Sequence, residues 1–127
     1  MTQAVLEGVA FALRDSFEVA KSLGVDIKAT KICGGGAKSP LWKKMVANIL
    51  NVTVEVPKSE EGPSMGAAML AAVACGAYKS VKEAAEAIVT VKETIEPDAE
   101  LTAKYEARYK QFREIYPVLR PPFQKLD

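Results

Sequence analysis

The sequence contains no histidine among its 127 residues. This absence removes the usual general base of enzymes, the Ser-His-Asp and Cys-His nucleophile systems, and the commonest ligand of transition metals. The two cysteines, Cys33 and Cys75, form no CxxC pair, so neither a disulfide nor a zinc site is expected. Cys75 stands among alanines, a setting typical of a small buried thiol. Any chemistry must therefore use carboxylates, lysines, hydroxyl groups or backbone amides.

The chain also lacks a block of charge of either sign and a long apolar run. Its 17 Lys and Arg residues against 16 Asp and Glu residues give a net charge of +1, which argues against nucleic acid as a partner. No apolar run approaches the roughly 20 residues that span a bilayer, and the start MTQAVLEGVAF lacks the basic head and cleavage signal of a secretory peptide. We therefore expect a cytoplasmic protein without nucleic-acid or membrane partners. A hydrophobic content of 49% suits one modest globular domain.

Helices and short strands alternate along the first part of the chain. Apolar residues at steps of three and four predict a helix over residues 3–23, which Gly24 closes. The β-branched segment at 27–33 predicts a strand. A serine-proline pair then predicts a helix over residues 40–50, followed by Asn51 as a left-handed stop. In VTVEV the three valines alternate onto one face, which predicts a second strand.

The rest of the sequence predicts three more helices. MGAAMLAAVACG forms an alanine-rich helix that Gly76 closes, and its small side chains suit a close approach to the sheet. Ser80 and Glu83 have the spacing of a capping box and open a short helix. The segment TVKETIEP is extended, and Asp98 opens a last helix with one apolar stripe. We expect the tail PVLRPPFQKLD to be irregular.

The stretch KICGGGAKSPLW places three glycines between the first predicted strand and the next helix. At the carboxyl end of a strand in an α/β sheet, such a turn lies where ligands commonly bind, close to the positive end of a helix dipole. Gly34, Gly35 and Gly36 carry no Cβ atoms that would hold a flat base, a ribose or a phosphate away from the backbone. Lys38 could add a positive charge. The alternative is a tight structural turn, since the pattern matches neither GxGxxG nor a phosphate loop ending in GK[ST].

The stretch GGGAKSPLWKKMVANILNVTVEVPKSEEGPSMGAAMLAAVACG resembles the nucleotide-binding half of the C-terminal domain of FGGY-type carbohydrate kinases, xylulokinases in particular. AVLEGVAFALRD is similar to the preceding helix of that family, and YEARYKQFREIYPVL to its closing helix, so the resemblance covers nearly the whole chain. It implies an α/β fold that forms the C-terminal part of an actin-like, ribonuclease H-like ATPase domain. It also implies phosphorylation of sugars with MgATP in a cleft between two such domains.

The resemblance implies a nucleotide-binding loop of six consecutive residues: Gly34, Gly35, Gly36, Ala37, Lys38 and Ser39. In this interpretation the adenosine lies over Gly34 and Gly35. Ser39 stands where relatives carry an asparagine or serine that contacts the nucleotide, although an N-cap alone would also explain a serine there. Glu7 matches the glutamate of the family's first-helix signature, whereas Gln3 stands where relatives commonly have an arginine.

The family's catalytic base, sugar-binding residues and first phosphate-binding turn lie in the part of the enzyme that precedes this region, and nothing in this sequence resembles them. We therefore predict no catalytic residue here and place the magnesium ligands outside this chain. The antiparallel three-stranded meander that opens an actin-like domain also has no counterpart. Residues 1–127 are accordingly interpreted as the C-terminal fragment of the second, nucleotide-binding domain of a sugar kinase, inactive alone.

Two other classes of function remain open at this point. One is a free-standing regulatory module that binds a nucleotide or another anion without catalysis, and the other is a structural interaction domain. The sugar expected from the resemblance is D-xylulose, although ribulose, gluconate and glycerol kinases share much of this region. The neighbouring carboxylates Glu60 and Glu61 are interpreted as a solvated helix entrance and receive no catalytic role. Because two predicted strands alone would leave an open sheet edge, we expect homo-oligomers.

Overall fold

The computed structural model describes residues 1–60 and 62–125, so Glu61 and the last two residues of the predicted tail lie outside the described part. The helices and strands alternate as the sequence predicts. In chain order they are α1 (Thr2–Ser22), β1 (Ala29–Lys31), a 3₁₀ turn (Gly35–Lys38), α2 (Pro40–Leu50), β2 (Thr53–Pro57), α3 (Pro63–Ala74), α4 (Val81–Ile88), β3 (Val91–Ile95) and α5 (Ala99–Phe123).

The sheet has three strands in the order β1-β2-β3 over the described residues, so the expectation of two strands is wrong. β1 runs parallel to β2, and β3 runs antiparallel to β2 on its other side. The additional strand is the extended segment TVKETIEP. β1 is shorter than the predicted 27–33 because it pairs with β2 alone, from Ala29 opposite Thr53 to Lys31 opposite Glu55. A strand extends only as far as its ladder hydrogen bonds, whatever the β propensity of its flanks.

Local capping signals fix the helix ends as predicted. Ser39 Oγ accepts a hydrogen bond from the Trp42 amide at 3.2 Å, which opens α2, and Asn51 closes that helix in the left-handed region at φ 52°. Gly24 follows α1 with φ 86°. The side chains of Ser80 and Asp98 likewise cap α4 and α5. These helix boundaries are therefore set by short-range hydrogen bonds.

Helix α5 extends through Phe123, so the prediction of an irregular tail is wrong for that segment. Pro117, Pro121 and Pro122 lie inside the helix. A proline ring fixes φ near the helical value but removes one amide donor, which is costly mainly when the freed carbonyl is buried. Residues 113–123 are exposed, so the prolines lie in a part of the helix that contacts solvent.

The core lies on the side of the sheet that α2 covers, with α1 and α5 packed on α2. One buried cluster joins the three helices through Ala10, Phe11, Met45, Ile49 and Tyr109. A second joins α2 to β2 through Val46, Ala47, Leu50, Val52 and Val54. All three valines of VTVEV are buried, which confirms their predicted alternation.

The α3–α4 side is open by comparison. Helix α3 packs against α4, and none of its residues is buried. No atom lies within 4 Å of the position that a Cβ on Gly66 would occupy, so the close approach to the sheet that the small side chains of α3 predicted is not found at this glycine. Cys75 at the end of α3 is exposed, contrary to prediction, and its thiol donates to the Ala71 carbonyl at 2.9 Å. Small, apolar residues do not become buried where no further layer covers them.

Candidate functional site

The glycine turn follows β1 at the edge of the sheet where the parallel strands β1 and β2 both end. Its backbone forms a short 3₁₀ turn, in which the Gly34 carbonyl accepts from the Ala37 amide and the Gly36 carbonyl from the Ser39 amide, both at 3.1 Å. Ser39 then begins α2 directly. The turn therefore stands at the carboxyl edge of the parallel pair, the usual place for a ligand in an α/β sheet.

The three glycines of the turn have different structural roles. Gly34 adopts φ +77°, which a residue with a side chain rarely tolerates. A Cβ on Gly36 would lie 3.0 Å from both Cδ1 and Nε1 of Trp42, so a side chain there would force the indole or the turn to shift. Gly35 has neither constraint, since its φ lies outside the left-handed region and its Cβ position has no atom within 4 Å. The fold thus accounts for Gly34 and Gly36 and leaves Gly35 open to an approaching molecule.

Trp42 connects this turn to the hydrophobic core. It is partly buried and packs against both hydrophobic clusters. Its indole edge fills the space that Gly36 leaves. The side chain of Trp42, three residues after Ser39, consequently holds the turn on the core.

Two polar side chains of the turn remain available to a ligand. Lys38 Nζ lies 2.8 Å from Glu60 Oε2, and both side chains are exposed. The hydrogen bond and charge of Lys38 lower the pKa of Glu60. Ser39 Oγ accepts from the Trp42 amide, which leaves the hydroxyl proton free to donate. The structure brings all six predicted residues, from Gly34 to Ser39, together in one turn.

A cavity of about 280 Å³ lies beside the turn, between the ends of β1, β2 and β3. The sequence analysis missed its most buried charged residue, Lys43 of α2, whose side chain is 9% exposed and whose ammonium pairs with the Glu93 carboxylate. This pairing offsets part of the cost of removing Lys43 from water. Lys43 lies three and four residues before Val46 and Ala47, which could have placed it on the buried face of α2.

Glu7, the glutamate of the first-helix signature, serves a contact between helices. Its carboxylate accepts from Arg108 at 3.2 Å and from the Tyr105 hydroxyl at 3.5 Å, which ties α1 to α5. Gln3 donates to the same carboxylate at 2.8 Å. Burial and the nearby Glu7 charge raise the pKa of Tyr105. The polar contacts of Gln3 and Glu7 are thus structural ones.

Within residues 1–60 and 62–125, no three cysteine, aspartate or glutamate side chains gather closely enough to hold a metal ion. Among the same residues, no helix combines the length and the apolar character needed to cross a membrane.

The sequence model of the FGGY family of carbohydrate kinases, C-terminal domain, matches residues 1–75, and the chain belongs to this family. The xylulose kinase of Staphylococcus epidermidis is 40% identical over 114 residues, which cover 90% of this chain and 23% of that protein.

Two solved structures from Lactobacillus acidophilus share the fold. The ligand-bound xylulose kinase superimposes with a TM-score of 0.82 and the gluconate kinase with 0.86, each at 26% identity and each covering 100% of this chain and 26% of the other. These similarities confirm the predicted fold, that of the C-terminal domain of actin-like sugar kinases. The chain spans about a quarter of the length of these relatives.

Proposed function

We propose that this chain forms the adenine-nucleotide side of an ATP-dependent sugar kinase, an enzyme that transfers the γ-phosphate of ATP to a sugar hydroxyl. The observation that carries the proposal is that Gly35 has no structural constraint that requires a glycine. Its missing side chain is required neither by the backbone angles nor by packing, whereas Gly34 has a left-handed φ and Gly36 faces the Trp42 indole. A glycine that the fold does not require, at the carboxyl edge of parallel strands, suits a flat nucleoside lying on the backbone.

The other residues of the turn can each contribute to nucleotide binding. Gly34 gives the turn its direction, and the exposed face of Gly35 receives the adenosine. Gly36 and Ala37 extend the backbone surface that Gly35 offers to the adenosine. Lys38 can exchange its exposed partner Glu60 for a phosphate, because an exposed ion pair of this kind contributes little stability. The free proton of the Ser39 hydroxyl can be donated to the nucleotide.

D-Xylulose is the proposed acceptor. This choice rests on sequence, since the S. epidermidis relative at 40% identity is a xylulose kinase. Fold similarity does not select the sugar, because a xylulose kinase and a gluconate kinase match the chain at the same 26% identity. The alternative, a free-standing nucleotide- or anion-binding regulatory module, would use the same turn without an acceptor.

Residues 1–127 are proposed to be the C-terminal part of the second domain of a cytoplasmic enzyme. Phosphoryl transfer also requires magnesium, a base that accepts the hydroxyl proton, and groups that orient the sugar. We assign these to the other parts of such an enzyme, and we expect no sugar-dependent ATP turnover from this chain alone. A coupled assay of ADP release tests this division. Xylulose-dependent turnover by the 127-residue chain, purified free of host kinases, would contradict it.

The nucleotide site is tested by amide NMR of the folded chain with ATP at millimolar concentration. The largest shifts are expected between Gly34 and Ser39. Lys38→Gln should weaken the binding of ATP but leave the binding of adenosine unchanged. Lys82→Gln, on the exposed face of α4, should change the binding of neither. The absence of shifts in the turn, or equal effects of the two lysine variants, would overturn the assignment.

We also propose that the chain self-associates through an open sheet edge, as expected from the sequence, and that this edge is the outer edge of β1. Among the described residues, β1 pairs only with β2, so its other edge presents unpaired amides and carbonyls. Edges of this kind recruit partner strands. Light scattering should show a dimer whose population rises with concentration. A clean monomer at high concentration would refute this arrangement.

A further inference from the structure

The cavity beside the glycine turn carries more positive than negative charge. Two of its lining lysines are compensated, Lys38 by Glu60 and Lys43 by Glu93. Lys58 and Lys92 also line it, and neither has a carboxylate within ion-pair distance among residues 1–60 and 62–125. Among the described residues, the lining therefore includes four lysines and two glutamates, an excess of two positive charges.

A β-bulge brings Lys92 to this cavity. In the pairing of β2 with β3, Val56 stands opposite Glu93 and Pro57 opposite Val91, so Lys92 has no opposite residue. In a regular strand, consecutive side chains point to opposite faces. Lys92 and Glu93 nevertheless both line the cavity. An extra residue that re-aims a side chain is a known use of bulges beside functional sites.

Lys58 is held beside the cavity by a backbone hydrogen bond. Its amide donates to the Thr90 carbonyl at 2.8 Å, which continues the pairing of β2 and β3 beyond Pro57. The side chains of Lys58 and Lys92 thus come from two strands that are tied together immediately beside the cavity. The lining also includes the apolar residues Ile32 and Val56.

We propose that this cavity binds a small phosphate-bearing anion, with Lys58 and Lys92 as its principal donors. A dianion would neutralise the excess charge of the lining. The site goes beyond the proposed nucleotide function, because it requires no nucleoside. The phosphate has two possible sources, a free phosphate or phosphate monoester, and the phosphate of a nucleotide held at the turn. The second source arises because Gly34, Ala37 and Lys38 belong to both the turn and the cavity lining.

The first test is an amide NMR titration of the folded chain with inorganic phosphate at low ionic strength, where exposed charges are least screened. Saturable shifts are expected at Lys58, Lys92 and Glu93. Lys92→Gln should weaken phosphate binding by about fivefold or more, the size expected for one charge-assisted hydrogen bond. Lys58→Gln provides a second variant outside the bulge. Lys110→Gln, an exposed lysine on α5, is the matched control and should leave binding unchanged.

Adenosine and AMP then separate the two sources. Adenosine should shift the turn and leave Lys92 unaffected. If AMP moves both regions and binds more tightly than either adenosine or phosphate alone, the bound phosphate is that of the nucleotide. If AMP shifts only the amides of the turn, as adenosine does, and Lys92 shifts only with free phosphate, the anion binds independently of the nucleotide. Either result supports the anion site.

Failure of this inference is distinguishable from failure of the proposed function. Phosphate shifts at Lys92 without any adenosine shift at the turn would support the anion site and contradict the nucleotide proposal. Adenosine binding without a saturable phosphate shift would do the reverse. A phosphate response that Lys58→Gln and Lys92→Gln reduce no more than Lys110→Gln does would also overturn the anion site.

Discussion

Helices α2 and α3 make an instructive pair, because the more apolar of the two is the less buried. Helix α2 contains two lysines in its first two turns, yet seven of its 11 residues are buried. Helix α3, with the sequence PSMGAAMLAAVA, has no charged residue and no buried one. Burial follows from the presence of packing partners on both sides, and apolar composition alone does not produce it. The stability of the chain should therefore come from α1, α2, α5 and the sheet.

The packed side is held by a mixed aromatic and ionic network around Tyr109. Its hydroxyl donates to Asp15 Oδ1 at 2.5 Å, and the Arg14 guanidinium lies 4.1 Å from its ring centroid. Arg14 also pairs with Glu106 at 2.5 Å. The Phe11 ring contacts Tyr109 at a centroid distance of 5.9 Å. No comparable network joins α3 to the rest of the described chain, so disruption of the two sides should have very different costs.

The largest effect is expected from Ile49→Ala. The Ile49 side chain is fully buried between α2 and its neighbours. Its truncation should lower the free energy of unfolding by about 2–5 kcal/mol through lost apolar contact and the cavity left behind. Urea denaturation measures the change. A loss below about 1 kcal/mol would contradict the placement of the core.

A smaller loss is expected from Gly36→Ala. The new methyl group would meet the Trp42 indole at 3.0 Å, so the indole or the turn must shift, at a cost of about 1–3 kcal/mol. Gly35→Ala is the matched control. It meets no atom and should leave stability unchanged or raise it by about 0.4–1 kcal/mol, because the unfolded chain loses freedom. Thermal melts of both variants measure the change in stability. Equal losses of stability would refute the difference between the two glycines.

The Tyr109 network should give the packed side a distinctive response to alkali. Burial and the hydrogen bond to Asp15 raise the pKa of Tyr109 from its ordinary value of 10.0 to about 12. Between these values the folded chain keeps a proton that the unfolded chain has lost, so stability present below pH 10 is lost as pH rises toward 12. Unfolding measured across this range should show a steeper decline for the wild type than for Tyr109→Phe. Identical slopes would contradict the raised pKa.

The smallest effect is expected on the open side, from Leu70→Ala in α3. Leu70 is 60% exposed, so its truncation should change stability by no more than about 0.5 kcal/mol. Denaturation of the monomeric chain gives the value. A loss as large as that of Ile49→Ala would reverse the contrast between the two helices.

Much of the helical framework could be predicted because its signals are local. Ser39 and Asn51 mark the ends of α2 within a few residues, and the capping serine of α4 acts in the same way. The strands were less predictable, because the ends of β1 and the existence of β3 as a paired strand depend on β2. The prolines at the end of α5 suggested irregularity, but solvent exposure tolerates the lost hydrogen bonds.

The candidate site was predictable in place but not in detail. Three adjacent glycines after a strand were enough to locate the turn. The distinct roles of Gly35 and Gly36 depend on where the Trp42 indole lies, which only the folded chain reveals. Lys92 reaches the cavity through a bulge in the β2–β3 register, and no local pattern in TVKETIEP indicates such a bulge.

The central claim is that Gly35 is free of structural constraint and serves the nucleotide. The most direct measurement is the affinity of ATP for the Gly35→Val variant, determined by calorimetry beside its thermal melt. Because a Cβ at this position meets open space, the melting temperature should stay unchanged, while ATP binding should weaken by more than about tenfold. Unchanged ATP affinity at an unchanged melting temperature, or the joint loss of affinity and stability, would contradict the claim.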